Sequence, residues 1–99
     1  MARARSETIN RTELRFPGKY NVIILNDDYT PMDFVIQILI EIFNKSLDEA
    51  QELTLKVHES DKAIAGTYNK ELSEQKKSES IQASRENGYP LTVLVEKID

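Results

Sequence analysis

Between Pro31 and Phe43 the chain runs for thirteen residues with only three polar side chains, Asp33, Gln37 and Glu41. These recur every fourth residue, so on a helix they form one narrow stripe and leave the rest of the circumference apolar. Such a helix is stable only when other elements enclose it, and this one therefore predicts the core of a folded domain. Its start is marked too. Thr30 is expected as the N-cap, Pro31 as the first helical residue, where a missing N–H costs nothing, and Asp33 as the partner in a box-like cap.

The flanking segments supply the enclosure. Tyr20, Val22 and Ile24 alternate with Asn21, Ile23 and Leu25, and because both sets are largely apolar a strand covered on both faces is expected. It ends at Asn26-Asp27-Asp28-Tyr29. Ser46 followed by Glu49 is a capping box and opens a second helix to about residue 59. Leu47, Ala50, Leu53 and Val57 form its inward face, with Thr54 and His58 along one edge. Residues 62–68 read as a strand. A third, very polar helix over 71–86 stops at Asn87-Gly88, and its apolar content, Leu72, Ile81 and Ala83, predicts shallow packing. After Pro90 a last strand over 91–97 sets Leu91, Val93 and Val95 against Leu94 on the other side. The order β-α-α-β-α-β predicts a single small α+β domain over residues 18–99, a three-stranded antiparallel sheet packed on one face by three helices. Residues 1–17 show neither helical nor strand period and end at the Pro17-Gly18 break, so a flexible N-terminal extension is expected.

Composition narrows the chemistry. With no cysteine and one histidine, disulfides, thiol nucleophiles and cysteine-held metals are excluded. No apolar run reaches the ~18 residues of a membrane helix, and a cytosolic protein without a membrane partner is the simplest expectation. Charge is unevenly spread: residues 1–19 hold five basic and two acidic residues, the remainder eight basic and fifteen acidic. An acidic body repels a phosphate backbone, so no nucleic-acid partner is expected, and a cationic ligand suits the field better.

Asn26-Asp27-Asp28 is the densest polar cluster within the ordered pattern. Asn and Asp are common turn residues, and punctuation alone accounts for them. His58 beside Val57 has an equally plain structural reading. An enzymatic reading pairs His58 with Asp27 or Asp28 as base and orienter, but no nucleophile, metal-ligand spacing or glycine-rich phosphate loop accompanies them. Acceptors without a nucleophile can instead hold an ammonium group, which offers three donors and a charge.

The string Val22 to Phe34, reading VIILNDDYTPMDF, closely resembles the ClpS family, adaptors that deliver N-degron substrates to the ClpA–ClpP protease. Val57-His58, Lys62-Ala63-Ile64-Ala65-Gly66, Arg85-Glu86-Asn87 and Pro90-Leu91 extend the resemblance through most of the chain. It implies a non-enzymatic protein, with no cofactor, whose partners are the N-terminal domain of ClpA and proteins beginning with Leu, Phe, Tyr or Trp. By position, Asn26, Asp27 and His58 would receive the α-amino group. Asp28, Thr30, Pro31, Met32, Thr54, Val57 and Leu91 would shape the pocket for the first side chain, and Glu71 and Lys76 would contact ClpA. Thr54 stands where many relatives carry methionine, and a wider pocket tolerating Ile or Val is expected from it.

Overall fold

The strand β1 (Lys19–Leu25) lies at the centre of a three-stranded antiparallel sheet, between β2 (Lys62–Tyr68) and β3 (Thr92–Ile98). Three helices complete the fold, α1 (Met32–Glu41), α2 (Leu47–Ser60) and α3 (Lys70–Glu86), in the order read from the sequence. The computed structural model describes residues 18–98; the expected extension over residues 1–17 lies outside them.

Val22 and Ile24 of β1 join Ala63, Ala65, Leu91 and Val93 against Val35, Ile38, Leu39, Phe43, Ala50 and Val57 from the helical side, forming one core cluster. Asp33, Gln37 and Glu41 face solvent, as the spacing of α1 requires, and the Gln37 amide donates to the Glu41 carboxylate at 3.2 Å. The expectation that β1 is covered on both faces needs correction. Ile23 is only 6% exposed yet stands outside the core cluster, and its cross-strand partners are Ile64 and Leu94, 47% and 42% exposed. Among the described residues no layer covers this face; three aliphatic side chains in one row shield the middle one. The β1–β2 register slips between Val22 and Ile23, and beside the slip Gly66 leaves room for the ring of Tyr68, which any Cβ there would strike.

Helix starts follow the sequence in α2 and depart from it in α1. Ser46 Oγ accepts from the Glu49 amide at 3.1 Å and Glu49 Oε1 from the Ser46 amide at 3.0 Å, completing the capping box. Leu47, expected inward, is 55% exposed, and Thr54, expected at the edge, is buried at 2%. In α1 the N-cap is Pro31, not Thr30, and no side chain caps the helix. The Pro31 carbonyl accepts from the Phe34 and Val35 amides. Thr30 is drawn back toward Asp27 instead.

The third helix also departs from expectation. Its fully buried residues are Ser73, Ser80 and Ser84. Their hydroxyls donate to the carbonyls of Tyr20 (3.2 Å), Lys76 (2.8 Å) and Tyr89 (3.0 Å). Small side chains with satisfied hydroxyls let the helix backbone settle close to its neighbours, so the packing is tight rather than shallow. An apolar pattern could not register it.

Candidate functional site

The register of the sheet brings six element ends together. Leu25, the last residue of β1, pairs with Lys62 at the start of β2 and with Thr92 at the start of β3. The next amide, of Asn26, donates at 2.8 Å to the carbonyl of Asp61, which closes α2 in a left-handed conformation (φ 71°). His58 lies in the last turn of that helix. The Asn26–Tyr29 turn leads into the start of α1, and the end of α3 adjoins the segment carrying Leu91. The turn and the last turn of α2, which carries His58, thus share one end of the sandwich, with Asn26 and His58 32 residues apart in sequence.

Asp27 organises the turn. Its Oδ1 accepts from the amides of Tyr29 (2.8 Å) and Thr30 (2.7 Å), and its Oδ2 from the Thr30 hydroxyl (2.8 Å). A carboxylate has about four acceptor sites, so among the described residues three are committed and one on Oδ2 is not. Partial burial alone would raise this carboxyl, but the Thr30 and Tyr29 amides, the Thr30 hydroxyl and the charge of Arg85 outweigh it. They hold Asp27 below the usual carboxylate range. These commitments suit a rigid acceptor and leave little freedom for a carboxylate that must orient a catalytic base.

A linkage prediction follows. Because folding lowers the Asp27 pKa, the ionised carboxylate contributes stability that is complete above the unfolded value near ~4 and is lost as pH falls through the native one. The gap in Tm between the natural protein and Asp27→Asn is therefore expected to be widest above about pH 5 and to shrink below about pH 4. Thermal melts across that range check it; a gap independent of pH contradicts it.

The remaining candidates divide by exposure. Asn26, Asp28, Met32 and His58 are exposed, Thr30 and Pro31 half-buried, and Thr54, Val57 and Leu91 buried. The Thr54 hydroxyl donates to the Ala50 carbonyl at 2.7 Å, so its polar atom is satisfied within α2 and only its small volume bears on its neighbours. Two surface hollows lie elsewhere. One of about 400 Å³ is lined by Glu74, Lys77, Ser78, Ile81 and Gln82 on α3, and one of about 230 Å³ includes Ile23, Lys56 and Ile64 beside the open sheet face.

Glu71 and Lys76 are at the opposite end. Ser73, two residues past Glu71, bonds to Tyr20, while the Asn26 turn follows the far end of β1, about 20 Å away at strand rise. Glu71 is exposed. Lys76 is half-buried: its Nζ donates to the Ile42 carbonyl at 2.6 Å, where α1 ends, and lies 5.7 Å from the centre of the Tyr68 ring. It has a structural task that sequence gave no sign of.

Sequence reasoning singled out no role for Ser84 and Arg85. Ser84 Oγ donates to the Tyr89 carbonyl at 3.0 Å and accepts from the Leu91 amide at 3.3 Å, and Arg85 Nη1 donates to the carbonyls of Tyr89 and Leu91, both at 3.0 Å. The Tyr89 ring meets the edge of Phe34 in α1 at 4.8 Å between centroids. The only hint in the chain is the string preceding Asn87-Gly88.

Known proteins bear on this arrangement. A family model described as "ATP-dependent Clp protease adaptor protein ClpS" matches residues 15–94. The ATP-dependent Clp protease adapter protein ClpS of Vibrio atlanticus is 47% identical over 88 residues, covering 89% of this chain and 83% of the relative. Its namesake from Helicobacter hepaticus is 43% identical over 98 residues, covering 99% of each chain. The solved structure of Agrobacterium tumefaciens ClpS2 bound to L-phenylalaninamide matches with a TM-score of 0.81 and 32% identity, over 83% of this chain and 99% of that one. Fold and relatives define a protease adaptor rather than an enzyme. The chain belongs to the ClpS family of ATP-dependent Clp protease adaptor proteins. Among the described residues, no helix is long and apolar enough to cross a membrane.

Proposed function

We propose that this protein binds the free α-amino end of polypeptides whose first residue is Leu, Phe, Tyr or Trp and delivers them to the ClpA–ClpP protease in the cytoplasm. Asn26, Asp27 and His58 receive the ammonium group. Asp28, Thr30, Pro31 and Met32 form the rim, and Thr54, Val57 and Leu91 the wall and floor, of the adjoining side-chain pocket. The observation that carries this reading is the convergence of the acceptor-rich Asn26–Tyr29 turn with the end of the helix bearing His58, next to buried apolar side chains. Support comes from the Agrobacterium neighbour, whose ligand combines a free amino group, an aromatic side chain and no carboxylate.

Magnitudes are consistent with a working adaptor. A hydrogen bond to a charged group contributes about 1.5–3 kcal/mol and burial of a Leu or Phe side chain about 1.5–3 kcal/mol. After the cost of fixing the peptide, affinity of about micromolar order remains. Calorimetric titration with one peptide sequence beginning in Phe and again in Ala tests the reading. The Phe form is expected to bind at least about tenfold more tightly and to be recovered intact. Equal affinities would overturn it.

Thr54 carries a second prediction. Thr54→Met is expected to weaken peptides beginning with Ile or Val relative to Leu, because a longer side chain narrows the pocket beside their branched Cβ. An unchanged Ile-to-Leu ratio in the same titration would refute the wider pocket.

The proposed contact with the N-terminal domain of ClpA involves Glu71 and Lys76. Their distance from the peptide site lets one molecule engage substrate and unfoldase at once. Because Lys76 also closes α1, a charge-reversal at Glu71 is the cleaner probe of that surface.

A further inference from the structure

Two adjacent residues in the last turn of α3 tie down the segment that carries Leu91. Ser84, fully buried, bonds both to the Tyr89 carbonyl and to the Leu91 amide, and the Arg85 guanidinium reaches the carbonyls on either side of Pro90. Proline has no amide hydrogen, so this stretch cannot extend the β3 ladder and depends on side chains for its position. Gly88 and Tyr89 close the turn by donating to the carbonyls of Arg85 and Ser84 at 3.0 and 2.9 Å. The held segment presses Tyr89 against Phe34 in α1 and sinks Leu91 to 1% exposure.

We infer that Arg85 and Ser84 are positioning residues for the side-chain half of the peptide site: their hydrogen bonds to Tyr89 and Leu91 set where the Leu91 wall meets the first side chain of a bound polypeptide. This rests on the proposed function. The roles of charge and geometry in Arg85 are separable. Its positive charge acts on Asp27 in the amino half, whereas the two N–H groups of its Nη1 reach two carbonyls in the side-chain half. Lysine keeps the charge, but its side chain is one bond shorter and ends in a tetrahedral ammonium that cannot take the place of Nη1 between the two carbonyls, so Arg85→Lys isolates the geometry.

The test uses the intact chain and one peptide sequence in three forms: Phe first, Ala first, and Phe first with an acetylated amine. In Arg85→Lys the Phe-to-Ala affinity ratio is expected to fall about fivefold, the order of one net hydrogen bond, while the free-to-acetylated ratio stays as in the natural protein. Ser84→Ala is expected to lower the same ratio in the same direction. Without peptide, both variants are expected to speed amide exchange at Leu91 while β1 amides stay protected, a local opening that global destabilisation would not mimic. A Phe-to-Ala ratio unchanged in Arg85→Lys, or a parallel fall in both ratios, overturns the inference alone. Failure of the natural protein to distinguish free from acetylated peptide overturns the proposed function and this inference together.

Discussion

Acetylating the α-amino group of a Leu- or Phe-initiated peptide is expected to weaken its binding at least about tenfold, a factor that corresponds to 1.4 kcal/mol. The modification removes the positive charge and two of three donors while leaving the first side chain untouched. On the proposed reading, what it removes is the partner for Asn26, His58 and the remaining acceptor site of Asp27. The three hydrogen bonds that already hold the Asp27 carboxylate make the loss larger, because that acceptor cannot turn toward another donor. A charge-assisted hydrogen bond alone contributes about 1.5–3 kcal/mol, enough for the stated factor without any steric clash from the acetyl group. Calorimetry with the two peptides decides the matter. Equal affinities would mean that the protein reads an internal segment, and the acidic turn would return to being a turn.

Leu39→Ala is expected to destabilise the fold by about 2–5 kcal/mol, the range for removing a buried leucine from a tightly packed site. Leu39 is 1% exposed and sits in the core cluster with Ile24, Val35 and Val93. In a domain this small each kcal/mol moves Tm by at least about 4 °C, so a fall of roughly 8 °C or more is expected in a thermal melt. A fall below about 2 °C would show that α1 is not an enclosed helix. The effect is large because small domains have stabilities of only about 5–15 kcal/mol.

Both predictions trace to features readable before any coordinates. The Asp33–Gln37–Glu41 stripe indicated an enclosed helix, and the polar side chains do face solvent. The Ser46–Glu49 box and the Asn87-Gly88 stop marked helix ends within a residue or two. These signals are local: periodicity, caps and turn chemistry act over a few residues, so the order β-α-α-β-α-β and its α+β class were legible. The proposed site residues were nominated for a different reason, since the string from Val22 to Phe34 and the Val57-His58 pair carry the family resemblance directly.

Other features needed the folded chain. Nothing near Ser73, Ser80 or Ser84 says that three serines are the fully buried residues of α3, because a small polar residue reads as surface until other elements are set against it. Thr30 satisfied the local rule for an N-cap, yet the Asp27 carboxylate took its hydroxyl and left Pro31 to begin the helix. Lys76 at the end of α1 and Arg85 at the Leu91 segment are likewise bonds between elements, invisible to patterns read along the chain. Sequence by itself determined which segments become helix and strand and which residues are chemically able to hold an ammonium group. Tertiary structure alone decided which element ends share a corner of the sandwich, because a pairing such as Leu25 with Lys62 and Thr92 is a long-range choice made by register and burial.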